Sequence, residues 1–116
     1  PSKIDYINAH GTGTPNNDLS EGVAMQTLFE NKVPKFSSTK AFTGHTLAAA
    51  AGIEAVISVL AIQNNLIFPC LNRSTPMKDL RISPVDTLET NVPINYVLSN
   101  SFGFGGNCSS LIFSKN

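Results

Sequence analysis

The sequence has few cysteines and no excess of charge, which excludes several classes of function. Two cysteines in 116 residues are too few for a disulfide framework or a zinc ribbon. Eight basic residues balance eight acidic ones, so no basic field exists to attract nucleic acid or an anionic membrane. We therefore expect no metal site, and neither nucleic acid nor a membrane as a partner.

Long apolar runs are also scarce. The longest, residues 47–62, is interrupted by Glu54 and Ser58 and is expected to be too short to cross a bilayer. No basic segment followed by an apolar one is visible, so we expect no signal peptide and a cytoplasmic protein. The chain starts at Pro1 and enters a strand-like segment almost at once. This start indicates a piece of a longer protein.

The order of apolar segments and turn residues predicts an α/β fold with a mixed sheet. Asn17 or Asp18 is the expected cap of the first helix, Asn31 its C-cap, and Glu21 lies on its predicted surface. Residues 65–93 contain several prolines and predict no regular element. The predicted elements are strands over residues 3–9, 36–38, 94–99 and 108–113, the last two forming an antiparallel hairpin, and helices from about 18 to 31 and about 44 to 64.

The two predicted helices differ in kind. The first carries one apolar stripe, formed by Val23, Met25, Leu28 and Phe29. The second is apolar on nearly every side, which is typical of a buried helix. Because this short sequence has little to cover such a helix, part of its partner surface is expected to lie outside the sequence.

Three polar clusters follow predicted strands, at residues 10–15, 38–45 and 100–106. His10 and His45 stand in the first two, and His45 is placed at the N-terminus of the second helix, where the helix dipole and burial favour a neutral ring. Lys40 is the obvious partner for Glu54, whose charge would be costly to bury alone. Two neutral histidines that donate to one carbonyl oxygen would form an oxyanion hole for an enolate or a tetrahedral intermediate. Taken singly, each cluster is also compatible with a polar loop, a structural ion pair or a hairpin turn.

Together the three clusters resemble the C-terminal half of the elongating β-ketoacyl-acyl-carrier-protein synthases, in the thiolase-like superfamily. The matching segments are residues 8–18 (Asn-Ala-His-Gly-Thr-Gly-Thr-Pro-Asn-Asn-Asp), 38–52 (Ser-Thr-Lys-Ala-Phe-Thr-Gly-His-Thr-Leu-Ala-Ala-Ala-Ala-Gly) and 100–106 (Asn-Ser-Phe-Gly-Phe-Gly-Gly). The resemblance implies that residues 1–116 form a thiolase-like domain, an α/β half of an αβαβα layered fold. It also implies decarboxylative Claisen condensation of malonyl carrier protein with an acyl thioester, in fatty acid or polyketide synthesis.

The resemblance assigns an expected role to individual positions. The two histidines would hold the malonyl thioester carbonyl, with Lys40 as the active-site lysine and Glu54 as its acidic partner. Acidic residues would support a water network near the lysine, hydroxyls would contact the phosphopantetheine arm, and phenylalanines would gate the acyl pocket. The matching residues are, in order of these roles, His10, His45, Lys40, Glu54, Asp18, Glu21, Thr12, Thr14, Phe102 and Phe104.

The sequence departs from the family in two ways. Asn107 and Cys108 stand where the family usually has Thr-Asn, which puts the positioning of Phe104 in doubt. The nucleophilic cysteine of the family belongs to the missing N-terminal half, and neither Cys70 nor Cys108 has its context, a sharp turn that opens a buried helix.

The chain alone is therefore expected to be inactive. Its expected partners are the N-terminal half of the same enzyme, an acyl carrier protein and a second copy of the parent. No resident cofactor is expected, since the phosphopantetheine arm arrives on the carrier protein. The alternatives are a chain-length-factor-like subunit and a non-catalytic interaction module.

Overall fold

The computed structural model describes residues 1–30 and 32–116, in which helices pack on both faces of a four-stranded sheet. The predicted C-cap, Asn31, lies outside the described residues. The strands are β1 Tyr6–Asn8, β2 Lys35–Ser37, β3 Leu66–Ile67, β4 Glu89–Thr90, β5 Tyr96–Phe102 and β6 Cys108–Ser114. The helices are α1 Pro15–Phe29, α2 Lys40–Thr43 and α3 Ala50–Asn64, with 3₁₀ turns at Leu47–Ala49 and Phe104–Gly106.

The main sheet has the strand order β2-β1-β5-β6. β1 is parallel to both β2 and β5, whereas β6 is antiparallel to β5. The predicted mixed sheet and the predicted hairpin are therefore confirmed. Because the carboxyl ends of β1, β2 and β5 lie at one edge, the three polar clusters come together there, as is usual for sites in α/β sheets.

Each face of the sheet has its own apolar core. On one face, Tyr6 and Val97 pack with Ala61 and Ile62 of α3. On the other, Ile7 and Leu98 pack with Met25 and Phe29 of α1. The alternation of side chains along β1 and β5 produces this division, and burial of each of the larger aliphatic side chains contributes about 1.5–3 kcal/mol.

α1 differs from its prediction at its start and in its buried side. It begins at Pro15, with Thr14 as the N-cap, because the fixed φ of proline suits the first turn of a helix. Asn17 and Asp18 are thus inside the helix and do not cap it. Met25 and Phe29 of the predicted apolar stripe are buried, whereas Val23 and Leu28 are about half exposed, so the stripe is confirmed only in part. Glu21 is buried, so its predicted surface position is wrong.

The predicted helix from Gly44 to Asn64 is in fact a 3₁₀ turn followed by α3. α2 ends at Thr43, its C-cap Gly44 has a φ of +70°, and α3 begins only at Ala50. α3 is also exposed along one side, where Val56 is 60% and Leu60 41% accessible, so it is not buried all round. The exposed side is compatible with a partner surface outside the chain, and that partner surface remains a prediction.

The same stretch was expected to be too short to cross a bilayer. By length and apolar composition, Leu47–Asn64 qualifies as a membrane span, so the expectation from its length is wrong. One side of the stretch nevertheless packs against the rest of the chain. Its buried Glu54 pairs with Lys40, and Ser58 accepts a hydrogen bond from the amide of Asn8. These contacts require it to pack on the sheet.

Residues 65–93 contain a short antiparallel pair, β3 and β4, where no element was predicted. An exposed ion pair between Lys35 and Glu89 connects β2 to β4. Residues 70–84 then cross over α1, with the methyl groups of Leu80 against Gly22. Strands of two residues carry too little periodicity to be recognised in a sequence.

Candidate functional site

His10 lies two residues after β1 and is buried, with 4% of its surface accessible. Its backbone N–H donates to Oε1 of Glu21 at 2.9 Å, and the N–H of Gly11 donates to Oε2 at 2.9 Å. The carboxylate of Glu21 therefore holds two consecutive backbone amides. Since Glu21 belongs to α1, this helix holds the loop that carries the imidazole of His10.

Gly11 is required by this loop. Its φ is +43°, and a Cβ at this position would lie 2.5 Å from the Cβ of Ser38. The hydroxyl of Ser38 donates to the carbonyl oxygen of Gly11 at 2.9 Å. Any side chain at residue 11 would break this contact between the loops that follow β1 and β2.

Lys40 and Glu54 form a buried ion pair, as predicted. The second carboxylate oxygen of Glu54 accepts a hydrogen bond from the hydroxyl of Ser101 at 3.4 Å, and its backbone carbonyl accepts one from the amide of Asn8 at 3.1 Å. α3 is thus attached to β1, α2 and β5 at the level of the site. Breaking a buried pair by removing one partner is costly, because it leaves an unpaired charge.

His45 lies elsewhere than predicted. It is an exposed residue between α2 and the 3₁₀ turn, five residues before α3 begins, so the dipole of α3 does not act on it as expected. Instead, the backbone N–H of Leu47 donates to its Nδ1 at 3.1 Å. Because Nδ1 is an acceptor, this hydrogen bond assigns the proton of the neutral ring to Nε2.

Leu47 adopts an uncommon backbone conformation to make this contact. Its φ is +51°, in the left-handed backbone region that residues other than Gly, Asn and Asp rarely adopt. Such conformations persist where the surrounding structure holds them. The contact between Leu47 and His45 was not predicted, since nothing in the sequence marks a leucine for positive φ.

The two histidines meet at the edge of the sheet. Their ring centroids are 5.3 Å apart with an angle of 84° between the planes, and the ring of Phe102 lies 5.5 Å from that of His10. A cleft of about 190 Å³ opens beside them, lined also by Ser101 and Ala50. A carbonyl oxygen in this cleft would have both imidazoles within reach.

The electrostatics favour an uncharged His10. Burial, with the positive charge of Lys40 and the neighbouring His45, lowers the pKa of His10 to about 4. Burial also raises the pKa of Glu21 above its ordinary value, although hydrogen bonds from Gly11 and Asn100 oppose the rise. At neutral pH His10 is therefore a neutral ring, which has one N–H to donate to an oxyanion.

Asp18 and Glu21 line one cavity with Lys40, and the water network expected near the lysine remains a prediction. Asp18 accepts a hydrogen bond from the N–H of Gly13 at 3.2 Å, so both acidic residues hold the backbone of the loop after β1. The hydroxyls of Thr12 and Thr14 lie 2.9 Å apart on the same loop. They remain accessible to a ligand at the mouth of the site.

The phenylalanines and cysteines are placed in contrasting ways. Phe102 contacts His10, whereas Phe104 is fully exposed on the turn after β5.

Cys108 is exposed and pairs with Phe102 across the β5–β6 ladder. Cys70 lines a second cavity of about 520 Å³, between α1 and residues 70–84, which Lys40 and Glu21 also line. Neither cysteine opens a helix.

Among residues 1–30 and 32–116, no group of three or more His, Cys, Asp or Glu side chains is arranged to hold a metal ion.

The chain as a whole is similar to known proteins. A family model, described as the C-terminal domain of beta-ketoacyl synthase, matches residues 1–74. The chain belongs to this family. Two curated 3-oxoacyl-[acyl-carrier-protein] synthases 2 match 99% of it, that of Staphylococcus aureus (strain COL) at 41% identity and that of Coxiella burnetii (strain RSA 493) at 44%. In each case the chain covers 28% of the relative's length.

Solved ketosynthases have the same fold. One, from a complex between a type II polyketide synthase acyl-carrier protein and its ketosynthase bound to the hexaketide, matches all of the chain and 29% of its own length, with a TM-score of 0.94 and 33% identity. The ishigamide ketosynthase/chain length factor matches 99% of the chain and 28% of its own length, with a TM-score of 0.94 and 31% identity. The predicted thiolase-like, mixed-sheet fold is therefore confirmed for this ketosynthase C-terminal domain.

Proposed function

We propose that this chain is the C-terminal part of a β-ketoacyl-acyl-carrier-protein synthase, and that the paired histidines stabilise the enolate formed from malonyl carrier protein. The observation that carries the proposal is the approach of His10 and His45 at 5.3 Å. His10 is neutral because it is buried beside Lys40. His45 carries its proton on Nε2, because its Nδ1 accepts a hydrogen bond from the backbone N–H of Leu47.

The reaction would proceed as follows. The bond between the malonyl methylene carbon and its carboxylate breaks, carbon dioxide leaves, and the electron pair passes into an enolate whose oxygen accepts from both imidazoles. The enolate carbon then attacks an acyl thioester on a cysteine from the upstream part of the enzyme, and the cysteine thiolate leaves. Each donor to such an oxyanion contributes about 3–4 kcal/mol to the barrier reduction.

The remaining residues are assigned supporting roles. Lys40, held by Glu54, places a positive charge near His10, which disfavours protonation of that ring. Thr12 and Thr14 are in reach of the phosphopantetheine arm on the exposed loop. Phe104 is proposed as the gate of the acyl pocket. Its full exposure here is consistent with a side chain that is covered only by the upstream part of the enzyme.

The partners follow from the same proposal. An acyl carrier protein delivers both substrates, so no resident cofactor is needed. Residues 1–116 act as one domain, which joins the N-terminal half of a cytoplasmic, homodimeric parent. The exposed apolar side of α3, with Val56 and Leu60, supports the need for further chain to cover it.

A chain-length-factor-like subunit is the second candidate, because a ketosynthase/chain length factor is among the similar structures. A non-catalytic interaction module is the third. The retention and convergence of His10, Lys40 and His45 favour a catalytic subunit over both. The residue at the nucleophile position of the parent separates the first two candidates, since a non-elongating subunit would lack the cysteine.

The test uses the parent enzyme, expressed with the segment upstream of Pro1, and malonyl carrier protein. His10→Ala and His45→Ala should each reduce carbon dioxide release by about 10²–10³-fold. Val23→Ala, on the exposed side of α1, is the matched control and should leave the rate unchanged. An unchanged rate in both histidine variants would remove them from the oxyanion role.

The isolated chain provides a second test. It should neither accept an acyl group nor condense, because its two cysteines lack an activating environment. Mass spectrometry after incubation with acyl carrier protein loaded with an acyl chain would detect transfer. Acylation of Cys70 or Cys108 would contradict the proposal that the nucleophile lies upstream.

A further inference from the structure

We propose that Ser110 and Asn100 are positioning residues for His10, acting through Glu21. This inference rests on the proposed function, because it assigns them to the site in which His10 acts. It concerns three hydrogen-bonded side chains on three elements, β6, β5 and α1. We call them the Ser110–Asn100–Glu21 chain.

The chain begins at the edge of the sheet. Asn100 and Ser110 are directly opposite each other in the β5–β6 ladder, so their side chains stand on the same face. The hydroxyl of Ser110 donates to Oδ1 of Asn100 at 2.8 Å. Because Oδ1 is engaged in this way, the amide nitrogen of Asn100 is turned towards α1.

The next link reaches the buried carboxylate. Nδ2 of Asn100 donates to Oε1 of Glu21 at 3.1 Å, and both side chains are more than 90% buried. Oε1 also accepts from the backbone N–H of His10, while Oε2 accepts from that of Gly11. The carboxylate can serve both amides only in one orientation, and Asn100 is the side chain that fixes it.

The consequence concerns the position of the imidazole. His10 has no side-chain hydrogen bond to hold it, since its Nδ1 is buried without a partner among the described residues. Its ring is placed by its backbone and by the neighbouring rings of His45 and Phe102, and its backbone is held by Glu21. A displacement of about 1 Å at a catalytic group can reduce a rate by about 10²-fold, so the orientation of Glu21 should affect turnover.

The test compares Ser110→Ala, Ser110→Thr and Asn100→Ala. Ser110→Ala removes the hydroxyl, Ser110→Thr retains it, and Asn100→Ala removes the middle link. Ser114→Ala is the matched control, because Ser114 lies on the same strand and face but its hydroxyl makes no hydrogen bond among the described residues.

Two readouts are needed. The first is the NMR shift of the His10 and Gly11 amide protons in the 116-residue chain, where charge-assisted hydrogen bonds to Glu21 are observed directly. Asn100→Ala and Ser110→Ala should move both resonances, whereas Ser110→Thr and Ser114→Ala should not. The second is decarboxylation by the parent enzyme, in which kcat should fall by about 3- to 100-fold while KM for malonyl carrier protein is unchanged.

The outcomes separate this proposal from the proposed function. If the amide resonances do not move, or if they move while kcat stays at the wild-type value, the positioning role is wrong. A fall in kcat that Ser110→Thr does not rescue also contradicts it. If the wild-type parent lacks decarboxylase activity, the proposed function fails first, and the NMR shifts still report whether the chain of hydrogen bonds exists.

Discussion

The ring of His45 stands edge-on to the ring of His10, with an interplanar angle of 84° and 5.3 Å between centroids. The two rings reach this position by different means. His10 is buried and its loop is held by Glu21, whereas His45 is exposed and its orientation is set by the backbone of Leu47. The pair therefore combines a ring that is neutral because of burial with one whose tautomer is set by a backbone donor.

The lowered pKa of His10 predicts a pH dependence of stability. Its pKa is about 4 in the folded chain against an ordinary value of 6.5, so between these values the unfolded state binds a proton that the folded state does not. Stability should therefore fall as the pH falls from about 6.5 to about 4, by on the order of 1–3 kcal/mol from this group. Glu21 has a raised pKa, so it acts in the opposite direction, losing stability as pH rises through its folded value.

Urea unfolding of the chain near pH 7 and near pH 5, with His10→Gln as the comparison, measures the effect of His10 alone. The variant should lose less stability on acidification than the wild type. NMR titration of the imidazole checks the pKa itself. An ordinary histidine pKa in the folded chain would contradict the prediction.

The ion pair of Lys40 and Glu54 predicts a separation of stability from activity. Glu54→Leu leaves a buried ammonium without a partner and should reduce the free energy of unfolding by about 3–5 kcal/mol. The double variant Lys40→Met/Glu54→Leu should regain most of that loss, because no charge is then buried. Decarboxylation by the parent should not return, since the positive charge beside His10 is gone.

The exposed pair provides the matched comparison. Glu89→Gln, which breaks the contact with Lys35, should change the free energy of unfolding by less than about 1 kcal/mol, because the side chain of Lys35 is 52% accessible. Recovery of both stability and activity in the double variant would show that Lys40 and Glu54 form a structural pair only.

The sequence predicts the order of the four main-sheet strands with α1 and α3, and it places three polar clusters at strand ends, since both follow from local patterns. It does not predict where α3 begins, because the apolar pattern continues through Leu47 and Ala48 and does not register the turn at Gly44. It also places Glu21 at the surface, since its hydrogen bond to Asn100 spans 79 positions. Burial of a charged residue by distant polar partners leaves no local pattern in a sequence.

Phe104 offers a contrast between folding and function. It is fully exposed, so Phe104→Ala should change the free energy of unfolding by less than about 0.5 kcal/mol. In the parent, the same variant should alter the rate or chain-length preference of acyl transfer. Phe102→Ala, which removes the ring against His10, should instead cost about 1 kcal/mol or more. Unaltered acyl transfer in Phe104→Ala would leave no role for this residue as a gate.

The contact between Gly22 and Leu80 predicts a mutation whose effect changes sign with its background. A Cβ at residue 22 would lie 2.4 Å from Cδ1 of Leu80 and 2.8 Å from Cδ2, so Gly22→Ala must displace the Leu80 side chain that packs on α1. It should lower the free energy of unfolding by about 1–2 kcal/mol, within the range for overpacking. In the Leu80→Ala background the space is free, and alanine should then stabilise the helix by up to about 1 kcal/mol, because glycine is the poorer helix former. Urea unfolding of the wild type, the two single variants and the double variant completes the double-mutant cycle. Gly52→Ala is the control, since a Cβ at Gly52 meets no atom within 4 Å. Equal effects of Gly22→Ala in both backgrounds would mean that Leu80 does not pack on this helix.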